Sequence, residues 1–257
     1  MMVLGINILL ILLTILPPLI YILIIYFTTP KGSISLKTGF LYFLFGILST
    51  SFLKLFSSYV PDWYNINVGD YILWSFLLHF TRVALIEEGL KYLSFRAISL
   101  FRNKRDDSVL SIMFNCAMVG LGFGFFENII YVNMYGEIVL YTRIFTATIL
   151  HMITGLIMGY WIALIKIKPP IKMRSVFEWY MNKYPRLRSA IYTLIGIISA
   201  ITIHGLHNFN IQINGPKSYP LMILIILFGL FVSKTFAEDL IGKSPRRRVS
   251  KGNTNSL

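Results

Sequence analysis

Long runs of Leu, Ile, Phe and Val alternate along this chain with short polar connections rich in Lys and Arg. Several apolar runs exceed about 18 residues with almost no charge, enough for an α-helix to span about 30 Å of hydrocarbon. The pattern predicts seven membrane-spanning helices, at roughly 3–27, 36–57, 71–95, 108–133, 138–165, 190–213 and 219–237. The fold class is therefore all-α, a polytopic transmembrane helical bundle. Residues 1–237 make the helical domain, and 238–257 a basic, disordered cytoplasmic tail.

Punctuation within this pattern is informative. Pro17 and Pro18 interrupt the first span and should kink it. Ser58–Asp70 reads as an outer loop with interfacial aromatics, and Asn214–Ser218 (NGPKS) as a tight outer turn. Residues 166–188 form the longest connection, with an amphipathic helix expected over Ser175–Tyr184 on the inner leaflet. Gly155 and Gly159 make a GxxxG, the spacing of close helix packing. The GLGFG run at 120–124 follows no strand and is not a nucleotide fingerprint. The opening MMVLGINILLILL has no basic n-region and no small-residue cleavage site, so it reads as an uncleaved first helix.

Composition agrees with a membrane protein: 56% of the 257 residues are hydrophobic and mean hydropathy is +0.68. A formal charge of +13 raises the question of a nucleic-acid partner. Its distribution answers no. Most Lys and Arg fall in alternate connections and the tail, around Lys31, Arg102–Arg105, Lys166–Arg188 and Arg246–Lys251. That asymmetry puts the N-terminus outside and the C-terminus in the cytoplasm of a multi-pass cell-membrane protein. The partners implied are anionic membrane lipids, not nucleic acid. The single cysteine, Cys116, permits no disulfide within the chain.

Candidate chemistry lies in the polar residues inside the spans. Glu87, Glu88 and Lys91 sit in the third span, with His79 and Arg82 nearer its outer half. Glu127 and Asn128 sit in the fourth, His151 in the fifth, and His204, His207 and Asn208 in the sixth. Each ionisable residue at mid-membrane costs about 2.5–3.5 kcal/mol on insertion scales, so a cluster on four consecutive helices implies a shared wet cavity. Glu87 and Lys91 are four apart and can pair along one face, leaving Glu88 turned elsewhere. His204 and Asn208 also share a face. Carboxylates plus imidazoles are the inventory for activating water, with or without a metal. On these boundaries Glu127 lies nearer the outer half than His151.

These residues carry a resemblance. EEGLK (Glu87–Lys91) fits EExxK; FGFFEN (Phe123–Asn128) fits FxxxE followed by Asn; His151 lies in LHMITG; HGLHN (His204–Asn208) fits HxxxN. In order and placement the set resembles the PrsW family of intramembrane metalloproteases, relatives of the CAAX prenyl proteases and bacteriocin-immunity proteins. The motifs span residues 87–208, about half the chain. The resemblance implies an intramembrane endopeptidase acting on a membrane protein or peptide, with Glu87, Glu88, Glu127, His151, His204 and Asn208 catalytic. It implies Glu127, His151 and His204 as a zinc set; the same residues can also serve without metal as acid, base and oxyanion donors. Asn208 stands where an Asp is common in the family. Two readings of other classes compete: a proton-coupled transporter, which also needs facing Glu, His and Lys, and a non-catalytic scaffold or immunity-type protein.

Overall fold

The computed structural model describes residues 8–59, 72–102, 108–136, 138–167 and 176–243. The described residues fold into helices α1 (Ile8–Thr28), α2 (Leu36–Tyr59), α3 (Ile72–Leu78), α4 (Leu85–Phe101), α5 (Val109–Tyr135), α6 (Ile138–Phe145), α7 (Ala147–Leu164), α8 (Val176–Lys183), α9 (Pro185–Asn214) and α10 (Tyr219–Lys243). There is no strand among them, as alternating apolar and basic segments of this length require.

Five helical segments among the described residues are long and apolar enough to cross a bilayer: Leu36–Ser57, Val109–Tyr135, Val139–Leu164, Pro185–Asn214 and Tyr219–Lys243. Leu12–Thr28 is a shorter apolar helix. The helical run from Ile72 to Phe101 carries the buried charges Glu87, Glu88 and Lys91, which lower its apolarity. The chain stays helical through Pro17 and Pro18. Thr146 divides the predicted fifth span into α6 and α7. Helix α8 lies within the segment expected to form an amphipathic helix, and Gly215–Ser218 forms a 3₁₀ turn between α9 and α10. Helix α10 runs to Lys243, past the predicted domain boundary at 237; Ser58 and Tyr59 of the predicted outer loop continue α2, and its remainder, 60–70, and the tail over 244–257 lie outside the described residues.

Helices α5 and α7 are the centre of the bundle. Of its most apolar stretch, α5 buries 89%, whereas α9 and α10 bury 22% each and present apolar side chains outward. Helix α5 packs most extensively against α7 and then α2, and α7 packs against α9. Glycines allow this proximity. A Cβ on Gly120 would come within 2.0 Å of the His151 carbonyl oxygen, and one on Gly122 within 2.0 Å of the Phe43 carbonyl oxygen. The two faces of α5 therefore touch the backbones of α7 and α2 directly. Gly155 and Gly159 meet Cys116 and Met113 of α5 in the same way, so the GxxxG is a packing surface.

Candidate active site

The polar residues converge where α4, α5, α7 and α9 meet. Ser108 starts α5 by accepting from the Ser111 N–H at 3.0 Å, and Gly136 ends it with φ 84°. Between these ends, Glu127 and Asn128 project from α5 toward α7. On the third helical run, residues His79–Ala84 form a π-helical turn between α3 and α4. Such a turn widens the helix by one residue and re-aims the side chains that follow. Glu87 and Glu88 stand one turn beyond it. Gly205 of α9 lies against the Phe80 ring, bringing His204 close to α4.

A continuous hydrogen-bonded chain links the cluster. Arg143 donates to Glu127 Oε2 at 2.8 Å, and the same oxygen lies 2.7 Å from His151 Nε2. Lys91 Nζ lies 2.7 Å from His151 Nδ1 and 2.7 Å from Glu88 Oε1. His204 Nδ1 reaches that Glu88 oxygen at 2.7 Å, and its Nε2 faces Glu87 Oε2 at 3.7 Å. The His151 and His204 rings meet edge to face, centroids 5.2 Å apart. Apart from Glu127 and Arg143, at 14% and 15% exposure, these side chains are at most 5% exposed.

Charge pairing separates the three carboxylates. Glu88 is committed to Lys91 and His204. Glu127 is committed to Arg143 and His151. Glu87 pairs with no Lys or Arg among the described residues, and its buried Oε2 has no hydrogen-bond partner. Glu88 Oε2 also lacks a partner, but Glu88 is not on the cavity wall. Glu87, Glu127, His151, His204, His207 and Asn208 all line a cavity of about 390 Å³ that extends to the α9–α10 turn. Glu87, Glu127 and Tyr131 also line a second cavity of about 150 Å³ toward α2.

Several sequence expectations change at this level. Lys91 pairs with Glu88 rather than Glu87, because the i,i+3 contact points it inward toward α7. Asn208, which shares a helix face with His204, has its Oδ1 3.1 Å from His207 Nδ1, its neighbour in the chain. Glu127 reaches His151 despite its predicted difference in depth. Among the described residues, Glu87, His151 and His204 bring ligand atoms within 4.8 Å of one another, while Glu127 of the expected trio contacts His151 and is paired with Arg143. Arg143, absent from the candidate residues of the sequence, lines the cavity, donates to Glu127 and to Asn128 Oδ1 at 2.9 Å, and stacks on Tyr131 at 3.7 Å. Its position inside a predicted span is the signal that could have found it. For Lys91 the sequence offers a motif position and a pairing cation; its contact with His151 needs the tertiary fold.

The donor set suits a divalent metal. One carboxylate and two imidazoles with an open position is a zinc pattern, and Glu87 Oε2 is an unsatisfied buried acceptor.

The fold and this centre together define a multi-pass membrane protein with buried acid–base groups at a cavity wall. Residues 35–233 match the family described as "PrsW family intramembrane metalloprotease"; that stretch exceeds half the chain, and the chain belongs to this family. It is 26% identical over 164 residues to Protease PrsW of Shouchella clausii, covering 62% of this chain and 66% of that protein. It is 24% identical over 171 residues to Protease PrsW of Oceanobacillus iheyensis, covering 65% of this chain and 70% of that protein. No solved structure matches.

Proposed function

We propose that this chain is an intramembrane endopeptidase that hydrolyses a peptide bond in or beside a membrane-embedded segment, within a seven-span topology whose N-terminus is outside. The observation that carries the reading is Glu87. It is a buried carboxylate on a cavity wall, paired with no Lys or Arg among the described residues, facing His204 Nε2 at 3.7 Å with His151 alongside. A water seated on the cavity side of this pair would reach both groups. Glu87 takes a proton from this water as its oxygen attacks the scissile carbonyl. It then returns that proton to the leaving amine nitrogen as the C–N bond breaks.

Glu88 and Lys91 act through others, fixing the orientations of His204 and His151. Asn208, its Oδ1 engaged by His207, keeps its amide N–H groups for the developing oxyanion. Glu87, His151 and His204 are the residues that would hold a divalent metal. When bound there, the metal would supply Lewis-acid polarisation of the carbonyl. The two cavities meeting at Glu87 and Glu127 suit an extended polypeptide running past the reactive groups on both sides.

The test uses purified protein in liposomes with a pool of labelled single-pass peptides, and mass spectrometry reads new termini. Wild type should cut within or next to the apolar segment. Glu87→Gln and His204→Ala should each lose about 10²-fold or more in rate. Undiminished cleavage by folded Glu87→Gln protein would overturn the proposal. Solute uptake without cleavage would favour a transporter instead.

A further inference from the structure

A third cavity, of about 580 Å³, lies at the opposite end of the bundle and takes no part in the chemistry above. It is walled by the C-terminal half of α4, the start of α5, the end of α7 and the first turns of α9. Its lining divides by character. Phe95, Ile112, Ile162, Ile165, Leu194 and Ile197 make an apolar wall. Arg96, Lys166 and Arg186 contribute three cations, and among the described residues no lining residue is acidic. Ser99, Ser189 and Thr193 add hydroxyls.

We infer that this cavity binds the headgroup of an anionic phospholipid. The cations and hydroxyls match a phosphodiester, for which arginine forks are the preferred donors. The apolar wall matches the glycerol-proximal acyl chain. The flanks of α4 and α9 beside the cavity carry outward-facing Leu93, Leu100, Leu194 and Ile198, each more than half exposed. A water-soluble phosphate would have no use for that surface, whereas a lipid tail lies along it. In the sequence, most of the basic residues fall in the connections assigned to this side by the charge asymmetry, the pattern of an anionic leaflet surface. Arg188, one turn into α9, donates to the Ile165 carbonyl at 2.7 Å and so ties the cavity's α7 and α9 walls together.

The full-length protein in mild detergent, mixed with equal phosphatidylglycerol and phosphatidylcholine, tests this by native mass spectrometry. Wild type should retain phosphatidylglycerol at least fivefold over phosphatidylcholine. The double variant R96Q/R186Q should lose at least fivefold of that retention. K234Q/K243Q, which removes two cations outside the cavity, should keep it. S189L, which fills the cavity and leaves its charges, should also lose retention, so failure of one variant to fold does not spare the inference. Equal loss in K234Q/K243Q would mean generic surface charge and would overturn the site. So would full retention by a monodisperse R96Q/R186Q protein, or displacement of the lipid by millimolar inorganic phosphate or by an acidic peptide.

Discussion

Lys91 Nζ lies 2.7 Å from His151 Nδ1, joining α4 to α7 at the centre of the bundle. An ammonium only donates, so Nδ1 accepts and His151 carries its proton on Nε2, which it donates to Glu127. One lysine thus sets the tautomer of the imidazole and neutralises Glu88. Lys91→Met should leave Glu88 buried without a cation and cost about 3–5 kcal/mol of stability. The Glu88→Gln/Lys91→Met double variant should recover part of that loss, because the pair is removed together. Thermal unfolding in detergent checks both. Additive losses would mean the two side chains do not interact.

The same contact bears on metal binding. Both nitrogens of His151 are engaged, one by Lys91 and one by Glu127, so a metal held by Glu87, His151 and His204 must displace one of them. Zinc per purified chain should fall to near zero in His204→Ala and Glu87→Gln. Glu127→Gln should retain zinc, weakened about 10–100-fold as for loss of a partner behind a ligand. The opposite order, with Glu127→Gln empty and Glu87→Gln loaded, would restore the ligand trio expected from the motifs.

Arg143 should behave as a positioning residue that Lys cannot replace. Its fork contacts Glu127 and Asn128 together while its plane stacks on Tyr131, and an ammonium cannot do all three. Arg143→Lys should lower kcat about 10–100-fold and leave KM nearly unchanged. A rise in KM alone would instead place Arg143 in contact with substrate.

The helices were legible because an apolar run of this length is long enough to cross a bilayer. The polar cluster was legible because charges inside such runs are too costly to be kept without facing one another. What the pattern could not convey was direction. Whether Lys91 leans to Glu87 or Glu88 depends on a single helical step, and both are allowed by spacing. Arg143 lies inside the span predicted from 138 to 165, a signal in itself, but close enough to its start for the charge to be read as interfacial. Only the break at Thr146 and the packing of α6 against α5 bring it inward. The choice between Glu87 and Glu127 as partner to the histidines is likewise a matter of tertiary geometry. Both stand on helices packed beside them, and the difference is that Arg143 occupies one of the two carboxylates.

Glycine supplies the final prediction, because two glycines close to the cluster differ in their surroundings. Gly120 abuts the backbone of His151 itself, and a Cβ there has no flexible side chain to push aside. Gly120→Ala should separate α5 from α7, cost about 1–3 kcal/mol as overpacking, and draw His151 away from Glu127. Gly89 sits beside Glu88 in the chain, yet a Cβ there meets nothing within 4 Å. Gly89→Ala should therefore keep activity and gain up to about 1 kcal/mol from helix propensity. Unfolding temperature and cleavage rate measured on both proteins decide the matter: equal losses would show that the α5–α7 approach is not what holds the cluster together.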